Sequence, residues 1–284
     1  DNYCEKTFLW IYHKKYKRED IEKETSYGPL DIKRFNDECS MLNNFLDSMQ
    51  RTQPDYLTAW NIMFDINYLL ARTEHLGLNY ERMSPLFEYK KTIGLKTPLV
   101  KWMNGSAMKG KRTNRKIAKW ARIIGLQWFD LLQGYKNIVA KEQESWSLNH
   151  IASVELQEQK LGTHFNIGEK WEDDPEYIEE YNFIDVVLIR KLDKKLNIVD
   201  YYESIKNKSG LYNINDVLSS GRVLDNYMLK RFKSDFIFPA KKYFMNENEK
   251  YRKVAGGFVK NPESGIHKNV AVFDYSGFYP NVIK

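Results

Sequence analysis

Asp174–Pro175 is a local signal for the start of a helix. An Asp side chain accepts hydrogen bonds from the first turn of a helix, and the fixed φ of Pro suits the first helical position. The stretch that follows is rich in Ile, Val and Leu, so a helix is predicted from about Pro175 to about Tyr202. Within it Tyr181 and Asp185 lie four apart and share one face. A phenol and a carboxylate that project together suit a site where Asp185 holds a metal and Tyr181 orients an attacking water. An amphipathic helix with one exposed acid is the plainer alternative.

Elsewhere strand and helix patterns follow one another. Thr7–Tyr12 (TFLWIY) reads as a strand and Lys14–Lys23 as a charged, solvated turn region. Ile32–Gln50 places Phe35, Met41, Leu42, Phe45, Leu46 and Met49 near helical spacing. Pro54–Trp60 contains a second strand, YLTAW, and Ile66–His75 a helix stopped near Gly77. Arg122–Tyr135 gives a strand and a helix start, Ser147–Leu156 a helix capped near Ser147, and Asn213–Phe232 another helix. Lys206–Gly210 (KNKSG) marks a domain boundary, Lys233–Arg252 is polar and irregular, and a strand FVKNP follows Gly256–Gly257.

The chain of 284 residues suits two domains or one large one, and 42% hydrophobic residues can form a sizeable core. Lys and Arg exceed Asp and Glu by 44 − 38 = 6, which permits a polyanionic partner. Lys109–Lys119 (KGKRTNRKIAK), flanked by Trp102 and Trp120, is the most basic stretch. It reads as a solvated loop or as a contact for a nucleic-acid backbone. Cys4 and Cys39 are too few for a disulfide framework or a zinc site, so a reducing compartment is expected. There is no run of about 18 apolar residues and no signal-peptide pattern. The chain opens on Asp1 without Met and closes at Lys284, so a fragment of a longer polypeptide is expected.

Two further carboxylates accompany Asp185. Asn61-Ile-Met-Phe64-Asp65 places Asp65 between the YLTAW strand and the next helix, where a helix amino terminus favours a negative charge. Alone, it reads as an ordinary helix cap. Lys268–Phe273 is predicted as a buried strand that runs into Asp274. Ser276 and Gly277 supply a turn, and Pro280 sits where a helix can begin. A carboxylate at a strand end beside a tight turn can hold a metal near phosphates, which the turn's N–H groups can meet.

In this order the three motifs resemble family B DNA polymerases of the viral or phage kind. Asn-x-x-Phe-Asp and Tyr-x-x-x-Asp match the second and third motifs of the family's 3′–5′ proofreading exonuclease. Asp-x-x-x-x-Tyr-Pro matches the first catalytic motif of the polymerase palm. Pro54–Asn61, Asp130–Tyr135, Ser145–Leu148, Leu161-Gly162 and Val254–Gly257 resemble intervening segments, so the likeness covers roughly Phe35 to Lys284. Three departures stand out. The Asp-x-Glu of the first exonuclease motif is absent, because Asp1 and Glu5 have the wrong spacing. Gly277-Phe278-Tyr279-Pro280-Asn281 replaces the usual Ser-Leu-Tyr-Pro-Ser, and Val254 replaces a Tyr.

The resemblance implies an α/β fold: a ribonuclease H-like exonuclease core, a mixed sheet flanked by helices, followed by the beginning of a polymerase palm. Residues 1–205 would form the exonuclease domain without its first motif, and residues 206–284 connecting helices and the start of the palm. Asp65 and Asp185 would be metal ligands, with Tyr181 orienting the water, and Asn61 and Phe64 would shape the site for a single-stranded 3′ end. Asp274 would hold the metals of the palm. Backbone amides around Tyr275, Ser276, Gly277 and Phe278 would face the phosphates of a deoxynucleoside triphosphate, and Tyr279 would stack under its sugar and exclude a 2′-hydroxyl. The implied cofactor is Mg2+ in two-metal sites, with Mn2+ as the alternative ion. The implied partners are primer–template DNA, deoxynucleoside triphosphates, and processivity or other replication proteins, with no membrane. The expected location is the cytoplasm, that of the host cell for a virus. Because half of the exonuclease ligands fall outside the sequence, the isolated chain is expected to lack both activities. A stand-alone exonuclease of the same acidic class, and a DNA-binding module without chemistry, are the alternatives.

Overall fold

The computed structural model describes residues 6–104, 119–139, 142–162, 166–237, 258 and 260–283. It divides into two compact units, Asp1–Phe238 and Pro239–Lys284. The first unit opens with β1 (Thr7–Tyr12), β2 (Glu19–Thr25), β3 (Gly28–Phe35) and α1 (Glu38–Thr52). Next come β4 (Tyr56–Ala59), α2 (Ile62–His75), a 3-10 turn at Tyr80–Met83, α3 (Phe87–Ile93) and β5 (Val100–Asn104). Then follow β6 (Lys119–Ile123), β7 (Gln127–Asp130), α4 (Leu131–Ile138), α5 (Leu148–Leu156) and α6 (Ile167–Asp173). The unit ends with α7 (Pro175–Leu196), α8 (Ile198–Ser209), a 3-10 turn at Ile214–Leu218 and α9 (Ser220–Phe232). The second unit carries α10 (Phe278–Ile283).

The fold is mixed α/β. Its described strands pair in three sheets rather than in the single mixed sheet expected. The order β1-β3-β2 forms one, β4-β7 the second and β5-β6 the third. β1 runs parallel to β3, β2 antiparallel to β3, and β4 parallel to β7. Thr7–Tyr12 and Tyr56–Ala59 are the strands that sequence periodicity predicts.

Lys14–Lys23 is a turn region only in its first half, because β2 occupies the second. Its acids are those of an edge strand, and Glu19 and Asp20 sit opposite Arg34 and Lys33 of β3. Opposite charges across a sheet edge support the pairing and keep the edge soluble. The same pairing overturns the helix expected from Ile32. Leu30, Ile32 and Phe35 are buried in β3, and helix begins only at Glu38, capped by Asp37 Oδ1, which accepts from Ser40 N at 2.7 Å.

Three more predicted elements divide. Arg122–Tyr135 is two strands and a helix, separated at Gly125, whose φ is +85° and where a Cβ would fall 2.8 Å from Leu86 Cγ. The long helix ends at Leu196, because Asn197 takes φ 49° and α8 starts afresh. Asn213–Phe232 splits into the second 3-10 turn and α9 at the extended Ser219.

α7 holds the first unit together. Asp174 Oδ1 accepts from Tyr177 N at 3.1 Å and Pro175 follows, as the sequence predicts. Phe183 and Val187 pack with Leu9, Ile11, Leu30 and Ile32 of the first sheet. Leu188 and Leu192 pack instead with Phe129, Tyr135, Ile151 and Tyr202. A third cluster joins Leu46 of α1 to Ile62, Ile66 and Leu70 of α2 and to Val100 and Ile123 of the third sheet. One helix thus serves two cores, which fixes the rotation of its remaining face.

In the second unit Lys268–Phe273 is not a buried strand: Val270, Val272 and Phe273 are exposed and belong to no strand. A strand needs a neighbour for its backbone groups, and no described segment of this unit provides one. Phe258 and residues 260–262 of FVKNP carry no strand either. Residues 109–118 of the basic stretch and residues 254–257 lie outside the described residues.

Candidate functional site

Asp65 stands in the first turn of α2, four residues beyond the cap residue Asn61. Asn61, at the cap position, takes φ 67°, and its side chain makes no capping hydrogen bond. The short polar side chain of Asn tolerates this left-handed conformation. The turn is fixed from outside. Asp130, at the end of β7, is 6% exposed, and its Oδ1 accepts from Asn61 N at 3.1 Å and from Leu132 N at 3.0 Å. One carboxylate thereby caps α4 and ties the amino end of α2 to it. Asp65 opens to solvent on one side. Partial burial of its other side, and the charge of Asp130, raise its carboxyl above the usual range. Burial likewise raises Asp130, against the pull of its backbone donors. Phe64 beside them is 70% exposed, an aromatic face held in the open by the helix start.

Asp185 occupies a different setting. Burial on α7 raises its carboxyl, and the nearby Lys160 works the other way. Lys160 Nζ donates to Asp185 Oδ2 at 2.6 Å and stands 5.5 Å from the centre of the Tyr181 ring. Tyr181 and Asp185 therefore share a face, as the spacing predicts, and Lys160 is their common neighbour. The second oxygen, Asp185 Oδ1, is buried and accepts no hydrogen bond. A buried charged oxygen without a donor is costly.

Two hydrogen bonds anchor the neighbours of both stations to the same segment, Trp146–Asn149. Lys160 N donates to Asn149 Oδ1 at 2.8 Å on α5, whose first turn is capped by Ser147. Trp146 O accepts from Trp60 Nε1 at 3.0 Å, and Trp60 precedes Asn61. No direct contact joins Asp65 to Asp185, and among the described residues no three acidic, His or Cys side chains gather as a metal cluster. The chemistry of Asp185 Oδ1 nonetheless fits a hard cation. Mg2+ is typically bound through one or two carboxylates, with water and phosphate oxygens completing its shell.

Asp274 and Tyr275 through Tyr279 belong to the second unit. Asp274 and Tyr275 are exposed, Gly277 takes φ 64° in the turn, and Phe278 opens the six-residue α10, with Pro280 in its first turn. The rings of Phe278 and Tyr279 lie 5.8 Å apart.

Lys160 and the partnership of Asp130 with Asp65 escape a reading by sequence. Lys160 lies in a short polar loop, and only the packing of α5 against α7 delivers it to Asp185. Asp130 carries a signal that could have been used: an Asp at the end of a strand, directly before a helix.

The arrangement defines an α/β unit with two carboxylate stations on helices, their neighbours anchored to one segment. A family model for the exonuclease domain of family B DNA polymerases matches residues 6–151, and one for DNA polymerase family B matches residues 213–284. The chain belongs to the family B DNA polymerases. It is 26% identical to the DNA-directed DNA polymerase of Escherichia phage RB69 over 88% of its length. It is 27% identical to the DNA polymerase delta catalytic subunit of Plasmodium falciparum, also over 88%, and 22% identical to a DNA polymerase of Desulfurococcus over 89%. It spans only 26%, 22% and 30% of those relatives. Among the described residues no helix is long and apolar enough to cross a membrane.

Proposed function

We propose that this sequence is part of a replicative DNA-directed DNA polymerase. Residues 1–205 form a ribonuclease H-like 3′–5′ proofreading exonuclease, and residues 206–284 form connecting helices and the start of the palm. The observation that carries the reading is Asp185 Oδ1, buried and unpartnered, beside Tyr181 and Lys160. Asp65 and Asp185 would hold Mg2+ at the exonuclease site and Asp274 would hold it at the palm. Bound there, the ion supplies charge neutralisation and water activation for phosphodiester chemistry.

The chain's own residues do the rest. The Tyr181 hydroxyl orients the attacking water, and Lys160 offsets the negative charge of the phosphodiester beside Asp185. Asn61 and Phe64 receive the single-stranded 3′ end, with the exposed Phe64 ring free to stack on a base. In the second unit the backbone amides of Tyr275, Ser276, Gly277 and Phe278 meet the phosphates of a deoxynucleoside triphosphate, and Tyr279 packs beneath its sugar.

The test uses the polypeptide that contains this sequence, with a 3′-recessed duplex and magnesium. Asp185→Ala is expected to slow trimming by roughly 10²–10⁴ and to leave primer extension intact. Asp274→Ala is expected to abolish extension and spare trimming. Magnesium-dependent trimming that survives loss of both Asp65 and Asp185 overturns the assignment. A module that only binds DNA would instead keep its salt-dependent affinity and show no metal dependence.

A further inference from the structure

The third sheet contains an unusual pairing. Its register sets Lys101 of β5 directly opposite Arg122 of β6. Val100, Ala121 and Ile123 turn inward and are buried, so Lys101 and Arg122 share the outer face. Like charges directly opposite across a sheet destabilise the pair. Among the described residues neither cation meets an acid.

Both cations line a cavity of about 410 Å³ whose far wall is the loop before the second 3-10 turn. That loop is pinned to β7: Ile214 N donates to Gln127 Oε1 at 2.9 Å, and Asn215 Nδ2 donates to Trp128 O. Asp216, the one acid among the lining residues, is engaged by Arg222. Tyr212, 81% exposed, also lines the cavity.

The two features call for two parts of one ligand. Two cations want an anion. An exposed aromatic ring offers a stacking face. We propose that this cavity binds one nucleotide unit, with its phosphate between Lys101 and Arg122 and its base against Tyr212. The site lies at the start of β7, roughly 10 Å along the strand from Asp130 at the other end. It does not depend on the nuclease assignment. The unit can belong to a single DNA strand or to a free nucleoside monophosphate.

The test titrates the whole chain with a fluorescein-labelled single-stranded oligodeoxyadenylate, followed by anisotropy across a salt series. A chelator silences any metal-dependent contact. Lys101→Ala/Arg122→Ala is expected to weaken binding tenfold or more, and to reduce the logarithmic salt slope by ~0.7, the value for one phosphate contact on a single strand. Its melting temperature should not fall, since a like-charge pair is removed. Tyr212→Ala is expected to weaken binding by roughly fivefold or more. Displacement of the labelled strand by dAMP supports a site that accepts the free nucleotide. Strand binding that dAMP leaves intact, yet that both variants weaken, supports a site that needs the polynucleotide. A folded Lys101→Ala/Arg122→Ala protein with unchanged affinity and salt slope overturns the site, and unchanged binding by Tyr212→Ala overturns the base contact.

Discussion

Glu179 sits on α7 two residues before Tyr181 and is only 5% exposed. Arg34 of β3 grips both of its oxygens, Nε at 2.7 Å and Nη2 at 2.8 Å. The Tyr16 hydroxyl donates to the same carboxylate at 2.9 Å. Hydrogen bonding to Glu179 and the charge of that carboxylate raise Arg34 further above its ordinary range, against the cost of burial. The cluster ties the first sheet to α7 at the turn that carries Tyr181. Arg34→Met keeps most of the apolar stem but leaves a buried carboxylate with one neutral donor. The expected loss is about 3–5 kcal/mol, the cost of breaking a buried pair from one side. Urea denaturation at neutral pH, followed by tryptophan fluorescence, measures it. The triple variant Arg34→Met/Glu179→Leu/Tyr16→Phe removes the stranded charge and its donor together, so it should recover to within about 2 kcal/mol of wild type. A loss below about 1 kcal/mol for Arg34→Met would refute the reasoning. So would a triple variant no better than the single one, which would mean that the contacts matter for shape and not for charge.

Two further perturbations probe the frame around the site. Asp193 accepts from Val199 N at 3.0 Å across the α7–α8 junction, and burial, followed by the charge of Asp200, raises its carboxyl. A raised acid makes the folded state hold more protons, so its contribution to stability falls as pH rises through the window between the ordinary and the raised pKa. Asp193→Asn keeps an acceptor and removes the charge, so it should stabilise the protein at pH 7 in thermal melts. That advantage should vanish as pH drops below the ordinary carboxylate range, and an advantage independent of pH would contradict the assignment. Gly134 packs where a Cβ would fall 2.9 Å from Phe129 Cζ and 3.0 Å from Ile198 Cγ2. Gly134→Ala should therefore cost roughly 1–3 kcal/mol, read by the same denaturation experiment, and a neutral outcome would show that the Phe129 ring moves freely.

Local chemistry fixed a good part of this molecule. Asp174–Pro175 starts α7, Ser147 caps α5 and TFLWIY is β1, each because the relevant interaction lies within a few residues along the chain. The shared face of Tyr181 and Asp185 follows in the same way from helical geometry. The ordered motifs around Asp65, Asp185 and Asp274 were legible too, and they pointed to the family to which the chain belongs. Tertiary structure decided what depends on a distant partner. Charged β2 became a strand because Lys33 and Arg34 lie opposite its acids. Ile32 went to a sheet rather than a helix because α7 covers it. A hydrophobic pattern records that a face is buried, and it does not record against what. The break at Asn197 lay hidden because apolar residues continue on both sides of it. The surroundings of the acids were also settled by packing. Lys160 reaches Asp185, and Asp130 anchors the turn that carries Asp65, only because α5, α7, β4 and β7 meet. The sequence by itself supplied the acids and the helices that carry them, through interactions of short range. Which cations and carboxylates stand beside them, and which oxygen is left buried without a donor, were decided by contacts between segments far apart along the chain.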